Sequence, residues 1–196
     1  MSQRDEDPVC PSTELRTHQG GRFLSQISSV QNLVDAILSI TAKNQYLLAS
    51  QAMNDIKHGN ILGRDHTNVF KWSSVFSGLQ VIVNRITLPH HDSKSYITDY
   101  DLLVSAGTHA SAWLTLHDIR TRFSYNPGTV VLVCGRVLLH EVDDWNGSDR
   151  ICIAHYTCQA IHCWLGITTH SWVDLNSYVP FLSSRYRARC VVSCRT

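Results

Sequence analysis

The sequence predicts an α+β fold that is mostly β, in which N-terminal helices pack on a sheet-rich core. Two observations support this prediction. Apolar residues recur at helical spacing over residues 24–58, with no proline in between. From residue 68 onward, short runs rich in Val, Ile, Thr and aromatic residues alternate with turn signals such as Asn126-Pro127-Gly128. Six or more short strands at this spacing indicate a sandwich, a jelly roll or a barrel.

The helical region has one apolar face. Its repeating positions are Leu24, Ile27, Val30, Leu33, Val34, Ile37, Leu38 and Ile40, and a second stretch from Tyr46 to Ile56 continues the pattern. The predicted strands are Leu79–Thr87, Asp101–Ser105, Ser111–Leu116, Thr129–Cys134, Arg136–His140 and Arg150–His155. A helix over about Thr157–Leu165 is expected to follow the last strand.

Composition and turn-forming residues divide the chain into four parts. Residues 1–20 are polar and predict a disordered tail, 21–60 a helical support region, 61–170 the β-rich domain, and 171–196 a basic tail. The formal net charge is only +1, so global charge does not point to an anionic partner. The N-terminus lacks the apolar stretch of a secretory signal, and no apolar run approaches the roughly 18 residues of a membrane span. We therefore expect a soluble, intracellular protein without membrane contact and with mostly reduced cysteines, and the pattern specifies no oligomeric state.

A first group of candidate ligands follows the strand that ends near residue 87. His90 and Asp92 are separated by one residue. In an extended chain, residues i and i+2 face the same way, so an imidazole and a carboxylate can reach one ion together. His91 would then point to the opposite face.

Two further residues complete the candidate site. His140 lies at the expected end of an apolar strand, 48 residues after Asp92. Two histidines and one carboxylate form the facial triad of non-haem Fe(II) oxygenases, which leaves coordination positions open for a 2-oxo acid and dioxygen. Arg150 follows ten residues later, after a turn that would return the chain antiparallel to the His140 strand. Its planar guanidinium matches the far carboxylate of 2-oxoglutarate.

Five segments resemble the TET/JBP-like dioxygenases, in the large fungal branch of that family. These segments are Val83-Asn84-Arg85-Ile86-Thr87-x-Pro89-His90-x-Asp92, Tyr100–Gly107, Tyr125–Val131, Cys134–His140 and Asp149–His155. The resemblance covers roughly residues 68–165. It departs from the family pattern in the lead-in to Arg150, which is one residue longer, and at Cys152, where many related oxygenases place a hydroxyl that helps to bind the co-substrate.

The resemblance implies a double-stranded β-helix, a jelly-roll variant, for residues 61–170. It implies His90, Asp92 and His140 as iron ligands and Arg150 as the anchor of 2-oxoglutarate. Members of the family oxidise the methyl group of 5-methylcytosine or thymine in nucleic acid. DNA as substrate and a nuclear location are thus expectations that rest on the resemblance alone.

Alternatives remain open from the residues themselves. Arg150 could pair with Asp143 or Asp144 across the turn. A structural zinc site could form from Cys152, His155, Cys158, His162 and Cys163, with His155, Cys158 and His162 on one helical face. The tail Arg185–Arg189, with Arg195, has the basic–aromatic interleaving that suits a nucleic-acid backbone, although a solvated tail is the simpler interpretation and the one we favour. A non-catalytic β-sandwich binding module, or an oxygenase that has lost turnover, is the competing function.

Overall fold

The computed structural model describes residues 11–59 and 67–172. Three α-helices are present in these ranges: α1 (His18–Thr41), α2 (Lys43–His58) and α3 (Gln159–Trp164). Eight strands lie between α2 and α3: β1 (Gly78–Val83), β2 (Thr87–His90), β3 (Asp101–Gly107), β4 (Trp113–Leu116), β5 (Thr121–Ser124), β6 (Val130–Val133), β7 (His140–Val142) and β8 (Arg150–Tyr156). Nearly all of the predicted basic tail lies outside the described residues.

Helical structure begins closer to the N-terminus than the sequence predicts. Residues Glu14–Arg16 form a short 3-10 helix and α1 begins at His18, where a disordered tail up to residue 20 was expected. The Thr17 side chain caps α1 by accepting a hydrogen bond from the Gly20 N–H. Asn68 donates to the carbonyls of Leu15 and Thr17 and ties the segment to the body of the protein. Residues 1–10 of the expected tail lie outside the described residues.

The strands form two four-stranded sheets in which every neighbouring pair is antiparallel. The first sheet has the order β1-β8-β3-β6 and the second the order β2-β7-β4-β5. The fold thus mixes helices with antiparallel sheets, as predicted. Strands β2 and β5 are short and were not predicted as separate strands. The predicted strand Leu79–Thr87 is interrupted at Asn84, whose positive φ of 49° ends β1.

Two expectations about the His140 region are wrong. Residues 136–139 form a turn rather than a strand, because the Cys134 carbonyl accepts hydrogen bonds from the N–H groups of Val137 and Leu138. His140 therefore begins strand β7 instead of ending a strand. The chain also does not return beside β7 at Arg150. Strand β8 enters the other sheet, where it pairs with β1 and β3 on its two sides.

Three apolar clusters hold the described part of the chain together, and two of them position the sheets. The inner core lies between the two sheets and consists of Leu103, Ala112, Leu114, Leu116, Tyr125, Val133, Val142 and Cys152. The outer core joins the helices to the opposite face of the first sheet and consists of Val34, Leu38, Ala42, Phe76 and Leu102. Successive residues of β3 point to opposite faces, so Leu102 enters the outer core and Leu103 the inner one. Across residues 11–59 and 67–172, no helix has the length and apolar character that a bilayer crossing requires.

Candidate metal centre

The fold brings His90, Asp92 and His140 together at one end of the second sheet. Strands β2 and β7 are paired so that His90 lies directly opposite His140. Their ring centroids are 4.2 Å apart. The Asp92 carboxylate lies between the two rings: Oδ1 is 3.5 Å from the His90 Nε2 and Oδ2 is 3.5 Å from the His140 Nε2. One potential ligand atom from each residue falls within 4.8 Å of the other two, a spacing that suits a single metal ion.

Both histidines are held in the same tautomer. The Nδ1–H of His90 donates to the Leu88 carbonyl at 2.9 Å, and the Nδ1–H of His140 donates to the Leu138 carbonyl at 2.8 Å. A carbonyl can only accept, so each ring carries a proton on Nδ1 and turns its Nε2 toward Asp92, the atom that would bind a metal in the neutral imidazole. Backbone hydrogen bonds of this kind orient metal-binding imidazoles. Burial lowers the pKa of His140 and keeps it in the neutral form that a metal requires.

A glycine makes room for the carboxylate. The Asp92 N–H donates to the Gly135 carbonyl at 2.9 Å, so the two backbones run close together. A Cβ at position 135 would lie 2.4 Å from the Asp92 Oδ2 and 2.7 Å from the Asp101 Oδ2. Any larger residue would therefore push on Asp92. The site is open on one side, because His90 and Asp92 are each 38% exposed while His140 is buried.

The alternative zinc cluster does not assemble. Cys152 and His155 lie on strand β8 and not on a helix, and the His155 ring packs against Phe76 at 5.8 Å. In the described parts of the chain, His90, Asp92 and His140 form the one group of three or more His, Cys, Asp or Glu residues close enough to share a metal ion.

Arg150 is buried and has no acidic partner among residues 11–59 and 67–172. Only 1% of its surface is exposed. Its Nη1 donates to the Arg85 carbonyl at 2.9 Å, and its Nε has no hydrogen-bond partner. The guanidinium carbon lies 5.4 Å from the Trp145 ring and 5.8 Å from the Tyr125 ring. The expected alternative partner Asp143 instead approaches Arg122 at 3.5 Å.

The space around Arg150 contains two residues whose roles the sequence did not reveal. Cys152 follows two positions later on β8, and its thiol is 3.3 Å from the hydroxyl of Tyr125. Cys152 is buried, and burial raises the pKa of its thiol. The sequence-based prediction includes Tyr125 only as the first residue of the segment Tyr125–Val131, which resembles the family. The sequence feature that could have indicated the buried position of Tyr125 is an aromatic residue directly before a tight turn, since such a residue can point into the core.

Comparison with known proteins agrees with this geometry. Residues 5–159 match the Tet_JBP family, described as the oxygenase domain of the 2OGFeDO superfamily, the 2-oxoglutarate- and iron-dependent dioxygenases. That match covers more than half of the chain. The chain belongs to the Tet_JBP family. No curated protein matches it.

The fold of this Tet_JBP domain is also seen in a solved structure. The structure of NgTET1 in complex with 5mC DNA matches with a TM-score of 0.60 and 15% sequence identity. The match covers 91% of this chain and 66% of the NgTET1 chain. At this identity the likeness concerns the fold alone. Membership of the Tet_JBP family brings with it the expectation of iron and 2-oxoglutarate as cofactor and co-substrate.

Proposed function

We propose that this chain is an Fe(II)- and 2-oxoglutarate-dependent dioxygenase that binds iron through His90, Asp92 and His140 and 2-oxoglutarate through Arg150. The observation that carries the proposal is the convergence of two Nδ1-protonated histidines and one carboxylate within 4.8 Å. This donor set is the one that non-haem Fe(II) oxygenases use. The family match supports the same chemistry.

The residues fit the two groups that the family implies. Two imidazole Nε2 atoms and one carboxylate would occupy one face of the ion and leave the other face free. Arg150 is a buried cation whose Nε lacks a partner and which no acidic side chain of the described residues approaches, and this suits the far carboxylate of 2-oxoglutarate. When bound together, iron and 2-oxoglutarate supply dioxygen activation, with oxidative decarboxylation to succinate and hydroxylation of a C–H group.

The protein's own contribution is position and exclusion of water. The Leu88 and Leu138 carbonyls fix the two imidazoles, and Gly135 leaves room for Asp92. The inner core excludes water from the surroundings of Arg150. The exclusion of water strengthens the attraction between the guanidinium and the far carboxylate of 2-oxoglutarate. The exposed side of the metal site leaves an approach for a substrate.

We also infer that the β-rich part, residues 61–170, forms a double-stranded β-helix supported by the helical region 21–60. The support is the pair of facing four-stranded sheets with orders β1-β8-β3-β6 and β2-β7-β4-β5, because eight antiparallel strands in two sheets make a jelly roll. The five motif segments that resemble the fungal TET/JBP branch lead us to place the chain in that branch.

For the substrate we propose the methyl group of a modified base, 5-methylcytosine or thymine, in DNA, and with it a nuclear location. The support is the family match and a fold shared with NgTET1, a protein solved in complex with 5mC DNA. A base in a duplex would have to leave the stack to reach the metal, at a cost of roughly a few kcal/mol. The basic tail, residues 171–196, could contribute phosphate contacts by its composition.

Anaerobic titration with Fe(II) and 2-oxoglutarate tests the proposal. We expect a visible metal-to-ligand charge-transfer band in the wild-type protein and no band in His140→Ala, because that variant loses the buried ligand. Glu141→Ala changes the next residue, whose carboxylate pairs with His117 outside the triad, and should keep the band. If the wild-type protein does not bind iron, the oxygenase proposal is wrong, and a non-catalytic binding module becomes the better explanation.

A second measurement separates turnover from binding. Succinate release in air, stimulated by 5-methylcytosine DNA over unmodified DNA, is the result expected of an active enzyme. A protein that shows the band but releases no succinate with any methylated DNA would be an oxygenase that has lost turnover or acts on another substrate.

A further inference from the structure

A buried hydroxyl that the family motif does not account for lies close to Arg150. Cys152 stands where many related oxygenases carry a hydroxyl, and the phenol of Tyr125 is 3.3 Å from the thiol of Cys152. We propose that Tyr125 is a co-substrate-binding residue whose hydroxyl donates to the same carboxylate of 2-oxoglutarate that Arg150 binds. This inference rests on the proposed function and deepens it.

Tyr125 is rigidly placed for this task. Its N–H donates to the Ala112 carbonyl at 2.8 Å. Its carbonyl accepts from the Ser105 hydroxyl at 2.9 Å and lies 3.1 Å from the Nε2 of His109, which is itself buried. The Tyr125 backbone is therefore held on one side by the residue before β4 of the second sheet and on the other by β3 of the first sheet. The ring is 1% exposed and points into the inner core, so the hydroxyl has little freedom to move.

The hydroxyl has hydrogen-bonding capacity to spare. In the described parts of the chain its partner is the Cys152 Sγ at 3.3 Å, and a thiol is a weak donor and a weak acceptor. The guanidinium carbon of Arg150 lies 5.8 Å from the centroid of the Tyr125 ring, and among the described residues its Nε has no hydrogen-bond partner. Buried donors of this kind are normally paired, which points to an acceptor that enters from outside.

The charge balance agrees with a carboxylate at this place. Burial raises the pKa of Tyr125 above its usual value, so the phenol stays protonated and can only donate to an anion. The Arg150 guanidinium carbon is 5.8 Å from the Tyr125 ring and the Tyr125 hydroxyl is 3.3 Å from the Cys152 thiol, so the three groups are neighbours. A carboxylate between the cation and the phenol would pair with both.

The test compares two 2-oxo acids in the anaerobic titration of the full chain. Tyr125→Phe keeps the ring and removes the hydroxyl. We expect the apparent Kd for 2-oxoglutarate to rise about tenfold, the typical effect of one hydrogen bond to a charged group. The apparent Kd for pyruvate should not change, because pyruvate has the same chelating end but lacks the far carboxylate. Overlapping thermal unfolding curves would establish that the variant folds.

The matched control is Tyr96→Phe. The Tyr96 hydroxyl also lies 3.3 Å from a thiol, that of Cys163, but next to α3 and away from Arg150. This variant should bind both 2-oxo acids as the wild type does. Unchanged affinity of Tyr125→Phe for 2-oxoglutarate, or an equal loss for pyruvate, would overturn the proposal and leave Tyr125 as a packing residue. Absence of the band in wild-type protein would instead overturn the proposed function.

Discussion

At the scale of single residues, the most unusual feature is a buried cation. Arg150 is enclosed by Tyr125 and Trp145 and donates one hydrogen bond to a backbone carbonyl. In the described residues no carboxylate lies within ion-pair distance of it. An unpaired charge in such surroundings lowers the stability of the folded state. The arginine is thus better explained by a ligand than by folding.

Replacement of Arg150 by methionine should separate these two effects. Methionine fills a similar volume and removes the buried charge, so we expect the free energy of unfolding of the ligand-free protein to be unchanged or higher by up to about 4 kcal/mol. The 2-oxoglutarate charge-transfer band should disappear at ligand concentrations that saturate the wild type. Urea denaturation and the anaerobic titration measure the two quantities.

The contrary result is equally clear. A large loss of stability in Arg150→Met would mean that the guanidinium holds the fold together through the Arg85 carbonyl and the two aromatic rings. Binding of 2-oxoglutarate at wild-type affinity would mean that the anchor of the far carboxylate lies elsewhere.

The sequence predicted which residues meet at the candidate metal site, but it did not predict which residues surround them. The spacing of His90 and Asp92 is a local property, because alternate residues of an extended chain face the same way. The roles of Gly135 and Tyr125 depend on which backbones and side chains meet after folding. Gly135 matters because Asp92 approaches it from 43 positions earlier in the chain, and no local pattern records that approach.

At the scale of elements, strand boundaries were the weakest predictions. The run Val137-Leu138-Leu139 has strand composition but forms a turn, since the Cys134 carbonyl captures two of the following N–H groups. The pairing of Arg150 with the first sheet was also missed. The loop that precedes β8 crosses from one sheet to the other, and loop length and turn residues do not distinguish such a crossing from a hairpin.

One contact between elements carries a pH dependence. Asp35 on α1 accepts hydrogen bonds from the Ser74 hydroxyl and the Val75 N–H, which joins the helix to the segment before β1. Burial raises the pKa of Asp35 to about 6, despite these hydrogen bonds and the nearby Lys57. The folded protein therefore holds this proton over a range of pH in which the unfolded chain has already lost it.

The sign of the effect follows from linkage. Because the folded-state pKa is the higher one, Asp35 makes folding less favourable as pH rises from its usual value of 3.8 to about 6, and has a constant effect above that. Asp35→Asn keeps an accepting oxygen without the titration. The free energy of unfolding of wild type minus that of the variant should fall between about pH 4 and about pH 6 and stay constant above that range. A flat difference would show that the Asp35 carboxyl titrates alike in both states.

At the scale of the whole molecule, the inner core and the outer core stabilise different contacts. The outer core attaches α1 and α2 to the first sheet, and the inner core joins the sheets and surrounds Tyr125 and Cys152. The metal ligands come from the second sheet and its edge, while Arg150 comes from the first. A bound 2-oxoglutarate would therefore span both sheets, and its affinity would depend on how well the inner core holds them in register.

A matched pair of leucines tests this division. Leu38 in the outer core and Leu114 in the inner core are both fully buried. Leu38→Ala and Leu114→Ala should each lower the free energy of unfolding by about 2–5 kcal/mol, measured by urea denaturation. Only Leu114→Ala should also raise the apparent Kd for 2-oxoglutarate, because its cavity opens in the cluster that packs Tyr125. Equal weakening by Leu38→Ala would mean that the helices position the pocket as strongly as the core between the sheets does.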